Sequence, residues 1–377
     1  MDTVDKSIMA FMQEWELPGA SVAIAKDGKL IYARGFGYAN LEHRELVQPF
    51  YRFRIASISK PLTSTAIFQL IDKGLLSLNA SVFGPSGILN DTVFLDIIDK
   101  RYYDITIEEL LSHTAGWRRY GNDKDPMFSS AMIADYFGSS LAASKQQIIR
   151  YMLKQQLDYT PGADQAYSNF GYCILGRVIE KISGETYEQY VKKNILNIIG
   201  ASSFELGGTY ESDKKENEVT YYDNPGAPAV PGYFDHQRVP APYGGFDITA
   251  MDSHGGWIAS APDLLRFALS VDGRNSRMDV ISEAAADSMK AKSFPSGSFA
   301  HGWISDEGGI CHAGLLPGSS GYLVVRTDGL AIAVLFNSHS YKNDFFPAMS
   351  KAIWTSLRAV TSFPKSDFFE GTCDPRF

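Results

Sequence analysis

Two Asp-Gly pairs lie near opposite ends of the chain, and each separates two alternating apolar runs. Asp27-Gly28 stands between ASVAIAK and KLIYARGFGY, and Asp328-Gly329 stands between GYLVVRT and LAIAVLFN. An Asp-Gly pair in this setting is a strong signal for a two-residue β-hairpin. Both ends of the chain therefore supply antiparallel strands, and one sheet built from both ends is the simplest arrangement.

Helical signals fill much of the remaining chain. Residues 4–15 and 343–360 have the apolar spacing of amphipathic helices, and the second is expected to pack on the sheet. Capping boxes predict three helix starts in the middle of the chain, at Thr106 with Glu109, Ser144 with Gln147, and Thr186 with Gln189. Further helices are predicted over residues 169–184 and from Ser260 onwards.

The segment 221–257 breaks this pattern. It contains five prolines and seven Tyr, Phe or Trp residues, and it is predicted to form long irregular loops. Such loops suit a stiff aromatic wall beside a groove, so we expect Tyr233, Phe234, Tyr243 and Phe246 to influence substrate choice. The alternative is a surface loop packed on its own aromatic side chains.

Composition and charge limit the function classes. Hydrophobic residues make up 45% of the 377 residues and charged residues 21%, which is typical of a globular enzyme of one or two domains. The net charge of −8 argues against nucleic-acid and anionic-membrane partners, because such surfaces need clustered Lys and Arg. No apolar stretch of the sequence reaches the length that spans a bilayer.

The cysteines and histidines do not indicate a metal or cofactor site. Cys173, Cys311 and Cys373 are odd in number and fit no zinc pattern, so a disulfide framework is not expected. The seven histidines lack metal-ligand spacing, and no cofactor is expected. The N-terminal residues lack the basic and apolar segments of a signal peptide, which predicts either a cytoplasmic protein or a processed secreted or periplasmic form.

The stretch FRIASISKPLTSTAIFQLIDKG, residues 53–74, has the pattern of a helix buried on most sides, yet it carries Lys60 near its start. Pro61 is tolerated only in a first turn, so the helix is predicted to begin at about Ser57 to Ser59. Positions i and i+3 share a helix face, which places the Ser57 hydroxyl beside the Lys60 amine. A buried lysine needs partners, and a serine nucleophile needs such a basic neighbour.

The S-x-x-K spacing alone also fits a serine cap followed by a lysine whose charged end reaches solvent. It recurs at Ser212–Lys215 and Ser362–Lys365, in polar or proline-containing segments where no catalytic role is expected. Ser57 differs from these two serines because it opens an apolar helix.

Three motifs in order along the chain resemble those of class C β-lactamase-like and penicillin-binding-protein-like serine hydrolases. They are Ser57-x-x-Lys60 at a helix start, Tyr167-Ser168-Asn169 leading into a helix, and His312-Ala313-Gly314 before a late hairpin. The segments LLSHTAGW (110–117), GGWIASAPDLLRF (255–267) and PGSSGYLVV (317–325) are similar to the same family. The resemblance runs from about residue 8 to about residue 357.

This resemblance implies an α+β fold of the β-lactamase and transpeptidase type. Its α/β part, expected from residues 1–75 and 205–377, is an antiparallel sheet made from both termini and flanked by helices. A mostly helical domain, residues 76–204, is inserted between them, and the active-site groove lies between the two parts. The hairpins and middle helices, predicted independently from their own patterns, agree with this arrangement.

The resemblance also implies roles for individual residues. Ser57 is the acylated nucleophile, and Lys60 and Tyr167 share the proton transfers, with the choice of general base left open. Asn169 is expected to bond Lys60 and the substrate acyl group, to cap its helix, or to do both. The oxyanion hole is expected to consist of the backbone N–H groups of Ser57 and Leu315.

The third motif departs from the Lys-Thr-Gly form. His312, with an unperturbed pKa of about 6.5, is expected to be largely neutral at neutral pH, and Ala313 has no hydroxyl. A substrate carboxylate therefore gains little there, and the titration of His312 is expected to show in the pH dependence of kcat/KM. Gly314 is expected to leave room for substrate beside its strand.

The predicted function is that of a serine hydrolase acting through an acyl-serine intermediate on esters or amides. The expected type is an esterase or D-amino-acid amidase, with weak β-lactamase activity allowed. An acyltransferase on the same scaffold is one alternative, and a non-catalytic binding or assembly protein is another, disfavoured because every chemical position is filled. The expected partner is a small-molecule ester, amide or β-lactam, without nucleic acid or a membrane span, and the oligomeric state is left open.

Overall fold

The computed structural model describes residues 1–118, 125–234, 237–274, 276–294 and 296–370. The helices are α1 (Asp2–Glu14), α2 (Ser59–Asp72), α3 (Ile107–Leu111), α4 (Ser130–Tyr136), α5 (Lys145–Met152), α6 (Asn169–Ser183), α7 (Tyr187–Val191), α8 (Asn197–Ile199), α9 (Ala261–Ala268), α10 (Glu283–Lys290) and α11 (Phe345–Arg358). The strands are β1 (Gly19–Lys26), β2 (Lys29–Asn40), β3 (Glu45–Leu46), β4 (Phe53–Arg54), β5 (Glu205–Leu206), β6 (Val230–Pro231), β7 (Arg238–Val239), β8 (Trp257–Ala259), β9 (Ile304–Asp306), β10 (Gly309–Leu316), β11 (Ser319–Arg326) and β12 (Leu330–Phe336).

A seven-stranded antiparallel sheet joins the two ends of the chain, in the order β3-β2-β1-β12-β11-β10-β9. Both Asp-Gly pairs connect paired strands, β1 with β2 and β11 with β12. Asp27 has a φ of 50° and Gly28 a φ of 80°, the left-handed pair that a type I′ hairpin turn requires. Because β1 also pairs with β12, the prediction of one sheet from both ends is confirmed.

Helices cover both faces of this sheet. On one face α1 packs with α11, and the ring centroid of Phe11 lies 5.7 Å from that of Phe336 and 5.5 Å from that of Phe345. On the other face α9 contacts β1 and β12, and Leu264 and Leu265 join the main hydrophobic core. The helices predicted at the two ends of the chain are confirmed as α1 and α11, and the predicted α+β fold class is confirmed with them.

The middle of the chain, residues 76–204, contributes helices α3 to α8, and α2 packs against α6 and α7. All three predicted capping boxes form, at the starts of α3, α5 and α7. Helix α6 is followed by Gly184 with a φ of 72°, the left-handed helix end that glycine tolerates best. The domain boundaries expected at residues 76 and 205 stay a prediction.

The turn before α2 determines where Ser57 projects. Ala56–Ile58 form a single 3-10 turn that runs directly into α2, so Pro61 falls within the first turn of that helix. Ala56 has a φ of 50°, a left-handed conformation that costs free energy for a residue with a Cβ and is kept only where the surroundings enforce it. Ser57 is thus held on a constrained backbone at the head of a buried helix.

The segment 221–257 is largely irregular, as predicted. It contains two short strands that pair with each other, β6 and β7, and a 3-10 turn at Thr249–Met251. Its last residue differs from the prediction, because Trp257 is fully buried and begins β8, the middle strand of a small sheet with β4 and β5.

Candidate active site

Ser57 lines a cleft and accepts two hydrogen bonds on its hydroxyl oxygen. Tyr167 Oη donates to Ser57 Oγ at 2.7 Å, and Lys60 Nζ donates to the same atom at 3.3 Å. Ser57 and Tyr167 are partly exposed, whereas Lys60 is fully buried. The structure therefore brings together the three residues that the sequence predicted to be catalytic, with the serine reachable from the cleft.

Lys60 is surrounded by hydrogen-bond acceptors from distant parts of the chain. Besides Ser57, its Nζ donates to Asn169 Oδ1 at 2.7 Å and to the carbonyl oxygen of His254 at 2.8 Å. It also lies 4.7 Å from the ring centroid of Tyr167. A lysine ammonium has three N–H groups, and these three acceptors stabilise its charge inside the protein.

Asn169, the first residue of α6, links Lys60 to a carboxylate. Its Oδ1 accepts from Lys60, and its Nδ2 donates to Asp125 Oδ2 at 2.6 Å. The cap of α6 is Ser168, whose Oγ accepts from the Gly171 N–H at 3.0 Å. Asn169 thus contacts Lys60 as expected. The residue that caps α6 is Ser168, not Asn169.

The cleft over Ser57 is a cavity of about 420 Å³ whose walls come from distant segments of the chain. Ala313 and Leu315 line it from β10. Strand β9 pairs with β10 only over residues 309–311, so within the described residues the outer edge of β10 is without a strand neighbour at the cleft. Ser57 and Leu315, the two residues whose N–H groups are expected to form an oxyanion hole, therefore line one cavity.

Gly314 lies where β10 passes the turn that carries Ser57. A Cβ at Gly314 would come within 2.2 Å of the carbonyl oxygen of Ile55 and 3.3 Å of the Ala56 Cβ. Real side chains do not approach backbone that closely, so a larger residue would displace either the strand or the turn. This close passage requires a glycine at position 314, and the room for substrate beside the strand stays a prediction.

His312 is buried on β10 behind the cleft. Burial and the nearby positive charge of Lys60 lower the pKa of its imidazole to about 3. Its Nδ1 donates to the Ala313 carbonyl oxygen at 2.7 Å, while its Nε2 is buried without a partner among the described residues. With this pKa the imidazole is neutral at neutral pH, as expected. The pKa itself lies far below the value near 6.5 that the sequence suggested.

Two histidines that the motifs did not single out also lie near Lys60. The ring of His113 lies 4.7 Å from that of Tyr167, and His113 Nδ1 accepts from the Ser168 N–H at 3.1 Å. Burial and the Lys60 charge lower the pKa of both His113 and His254 well below 6.5. These imidazoles are therefore neutral, and they add no positive charge that would compete with the lysine.

The aromatic rim of the cleft differs from the predicted one. Phe128 and Tyr341, both exposed, line the cavity. The segment 221–257 lines it only through its C-terminal part, which includes Met251. The four aromatic residues predicted to form the wall are all described by the structure and lie outside the cavity lining, although Phe246 is buried with its ring 6.1 Å from that of Phe128.

Thiols and metal ligands do not provide a second reactive site in the part of the chain that the structure describes. Burial raises the pKa of the Cys311 thiol to about 11 and that of Cys173 to about 12, so neither forms a thiolate readily. Cys373 lies outside the described residues. In the described ranges, no group of three or more His, Cys, Asp or Glu is arranged to hold a metal ion, and no helix has the length and apolar character to cross a bilayer.

Comparison with known proteins identifies proteins of similar sequence and proteins of similar structure. Protein flp of Staphylococcus aureus (strain N315) is 24% identical over 364 residues, covering 94% of this chain and 66% of that protein, so the chain spans just under two thirds of that relative. The octameric penicillin-binding protein homologue from Pyrococcus abyssi is 26% identical, with a TM-score of 0.69 over 93% of this chain and 76% of that one.

A third relative shares the fold at lower sequence identity. The D-amino acid amidase from Ochrobactrum anthropi SV3, solved with L-phenylalanine amide, is 18% identical, with a TM-score of 0.71 over 94% of this chain and 98% of that one. The family model described as Beta-lactamase matches residues 4–352. With this match over nearly the whole chain, and with the serine, lysine and tyrosine of the motifs in contact, the protein belongs to the beta-lactamase family.

Proposed function

We propose that this protein is a serine hydrolase that forms an acyl-enzyme on Ser57. The observation that carries the proposal is the pair of hydrogen bonds on Ser57 Oγ, from Tyr167 at 2.7 Å and from Lys60 at 3.3 Å. A serine hydroxyl is a weak nucleophile unless an adjacent group removes its proton. The cleft exposes this serine to small molecules, in a groove that we propose to separate the α/β part (residues 1–75 and 205–377) from the helical part (76–204).

Lys60 and Tyr167 divide the work of proton transfer in this proposal. Lys60 is fully buried, and its three N–H groups meet three acceptors, an arrangement that suits a lysine that stays charged. Tyr167 is partly exposed and reaches the same serine oxygen over a shorter distance. We therefore propose Tyr167 as the group that takes the serine proton. The neutral phenol donates to Ser57 Oγ, and once its own proton has left, the phenolate beside the Lys60 ammonium accepts from the serine instead.

The reaction then proceeds in two halves. Ser57 Oγ attacks the carbonyl carbon of the substrate while its proton passes to Tyr167, and the oxyanion that forms is bound by the N–H groups of Ser57 and Leu315. The proton returns to the leaving oxygen or nitrogen as the bond to it breaks. A water molecule attacks the acyl-serine in the second half, and the same tyrosine handles the proton in reverse order.

Two features support an ester or amide substrate without a carboxylate next to the scissile bond. His312 and Ala313 present neither a charge nor a hydroxyl at the third motif, and the pKa of about 3 keeps the histidine neutral. The exposed rim residues Phe128 and Tyr341 favour apolar groups at the cleft mouth. The amidase with the same fold, solved with an amino-acid amide, supports amides as one substrate class.

The test is covalent labelling of the nucleophile. A fluorophosphonate should modify Ser57, as located by mass spectrometry, and Ser57→Ala should abolish both labelling and hydrolysis of p-nitrophenyl acetate. Ser212→Ala is the matched control, because Ser212 begins another S-x-x-K sequence but lies on the exposed surface. An adduct on any other serine, or full activity in Ser57→Ala, would overturn the proposal.

A further inference from the structure

A buried carboxylate lies two residues before the His254 carbonyl group that binds Lys60. Asp252 is 3% exposed, and its Oδ2 accepts from Arg177 Nη2 at 2.8 Å and from Lys145 Nζ at 2.6 Å. Burial acts to raise the pKa of the Asp252 carboxyl, but the two positive charges outweigh burial and hold this pKa below its ordinary value. Asp252 is therefore ionised inside the protein, with two cations as partners.

The ion pair with Arg177 joins the turn that contains Asp252 to helix α6. Arg177 lies on α6 about two turns after Asn169, the first residue of that helix. The helix also passes close to the turn, since a Cβ on Gly176 would come within 2.5 Å of Ser253 Oγ. The ion pair and the close packing beside it thus hold α6 against the turn.

Lys60 binds one group from each side of this contact. Its Nζ donates to Asn169 Oδ1 on α6 at 2.7 Å and to the His254 carbonyl oxygen on the turn at 2.8 Å. The ion pair between Asp252 and Arg177 joins the same helix to the same turn. These contacts form a closed ring, so the spacing between the two acceptors of Lys60 depends on the ion pair. Because hydrogen bonds weaken steeply with distance and misalignment, a change in this spacing weakens at least one of them.

We propose that Asp252 is a positioning residue that acts on Lys60 through its ion pair with Arg177. The pair fixes the two acceptors, and these keep the Lys60 ammonium charged and beside Ser57 Oγ. Asp252 itself is outside the residues that line the cleft. This inference rests on the proposed acyl-enzyme chemistry, in which the phenolate of Tyr167 needs the Lys60 ammonium, so loss of the pair reduces kcat more than it changes KM.

The titratable groups around Lys60 do not obscure its own titration. Burial and the lysine charge lower the pKa values of three nearby imidazoles, those of His113, His254 and His312. Burial raises the pKa of Tyr172, whose ring centroid lies 5.6 Å from Lys60 Nζ, well above 10. Beyond these, Asp125 bonds Asn169, and Arg177 pairs with Glu180 at 3.2 Å as well as with Asp252. A change in the alkaline limb of the pH profile therefore reports on Lys60 and its tyrosine partner.

The test is the pH dependence of kcat/KM for p-nitrophenyl acetate, whose alkaline limb reflects loss of the Lys60 proton in this proposal. An ammonium that loses an acceptor releases its proton more easily, so Asp252→Asn should move this limb lower by at least about half a pH unit. Its kcat should fall at least about 10-fold, as expected for one hydrogen bond to a charged group. Titration of Ser57 with a fluorophosphonate counts the intact sites, and the position of the limb does not depend on the fraction of protein that is folded.

Two cation variants separate positioning from charge alone. Arg177→Met and Lys145→Met each remove one positive charge beside Asp252, and by charge alone both would move the alkaline limb to higher pH. Of these two cations, Arg177 lies on the helix that carries Asn169 and Lys145 does not. Arg177→Met should therefore move the limb to lower pH, as Asp252→Asn does, and Lys145→Met should not. Arg177→Lys keeps a cation at this position and should lie between wild type and Arg177→Met.

Asp99→Asn is the matched control for lost stability. Asp99 is 6% exposed, pairs with Arg101 at 2.6 Å and is outside the cleft lining. Its replacement should lower the free energy of unfolding measured in urea without moving the alkaline limb. If Asp252→Asn does not fold, Arg177→Lys compared with Lys145→Met decides, because a limb that stays in place in Arg177→Lys would then contradict the inference.

Two other results would overturn the inference. One is an unmoved limb in Asp252→Asn, and the other is a pair of opposite shifts in Asp252→Asn and Arg177→Met, which charge alone would produce. Labelling of Ser57 would persist in both cases and leave the proposed function intact. Absence of hydrolysis and of Ser57 labelling in wild type would instead overturn the proposed function, and this inference with it.

Discussion

Replacing Tyr167 with phenylalanine removes one oxygen atom from the centre of the site. The lost contact is the 2.7 Å hydrogen bond to Ser57 Oγ, whereas the ring keeps its packing against His113 at 4.7 Å and Phe299 at 5.5 Å. General acid-base catalysis contributes about 100-fold to 10,000-fold in rate, so kcat/KM for p-nitrophenyl acetate should fall by that factor, or about 2.7 to 5.4 kcal/mol. Because Tyr167 is partly exposed, the free energy of unfolding should change by less than about 1 kcal/mol.

Tyr172→Phe, on the helix that begins just after Tyr167, is the matched control. Tyr172 is fully buried, and its Oη donates to the Leu111 carbonyl oxygen at 2.8 Å. Its loss leaves that acceptor without this donor, so the free energy of unfolding should fall by about 1 to 3 kcal/mol, while kcat/KM should stay within about 3-fold. Steady-state kinetics and urea denaturation measure both quantities. A loss below 10-fold in Tyr167→Phe would refute its role as proton acceptor, and equal kinetic losses in both variants would show that the effect is structural.

Two further predictions concern the acid side of the stability profile and the rim of the cleft. A His312 pKa of about 3 in the folded protein, against about 6.5 when unfolded, means that the unfolded chain binds more protons between these values. The free energy of unfolding should therefore fall as pH drops from 6.5 towards 3, by up to about 1.4 kcal/mol per pH unit. In His312→Asn, urea denaturation at several pH values should show a smaller dependence of this free energy on pH. An unchanged dependence would contradict the prediction. Phe128→Ala and Tyr341→Ala should change the ratio of kcat/KM between p-nitrophenyl acetate and a longer p-nitrophenyl ester at least about 3-fold, whereas Phe234→Ala, outside the cavity lining, should not. Equal ratios in all three variants would mean that the rim does not select substrates.

The fold followed from signals that act over short distances. An Asp-Gly pair fixes the local turn, and alternating apolar residues identify the strands on either side, so both hairpins were predictable without any knowledge of the rest. The capping boxes worked for the same reason, because their bonds join residues three positions apart. The pairing of β1 with β12 needed the further assumption that the two hairpins share one sheet, since no local signal specifies a partner about 300 residues away.

The candidate site was predictable only where its residues belong to short motifs. Ser57 and Lys60 share a helix face, and Tyr167 and Asn169 stand next to a helix start, so local spacing placed them. Asp125 reaches Asn169 from a separate turn, and its only local signal is the Asp-Pro pair that starts that turn. Phe128 and Tyr341 meet at the rim from distant segments, whereas composition alone pointed to the aromatic loops of residues 221–257. Composition reports which side chains are present but not which of them face a cavity.

The position of β1 in the interior of the sheet, between β2 and β12, affects the order in which the protein can fold during translation. Strands β1 and β2 leave the ribosome well before the strand that pairs with the other edge of β1, because β12 follows about 300 residues later in the chain. Until then the nascent hairpin exposes unpaired backbone groups on an apolar strand, the type of edge that recruits other chains. Helices α3 to α8 form between these two events, and their local contacts favour early folding. Slower elongation or a chaperone that shields the early hairpin should therefore raise the yield of folded protein more than any change that stabilises the helices.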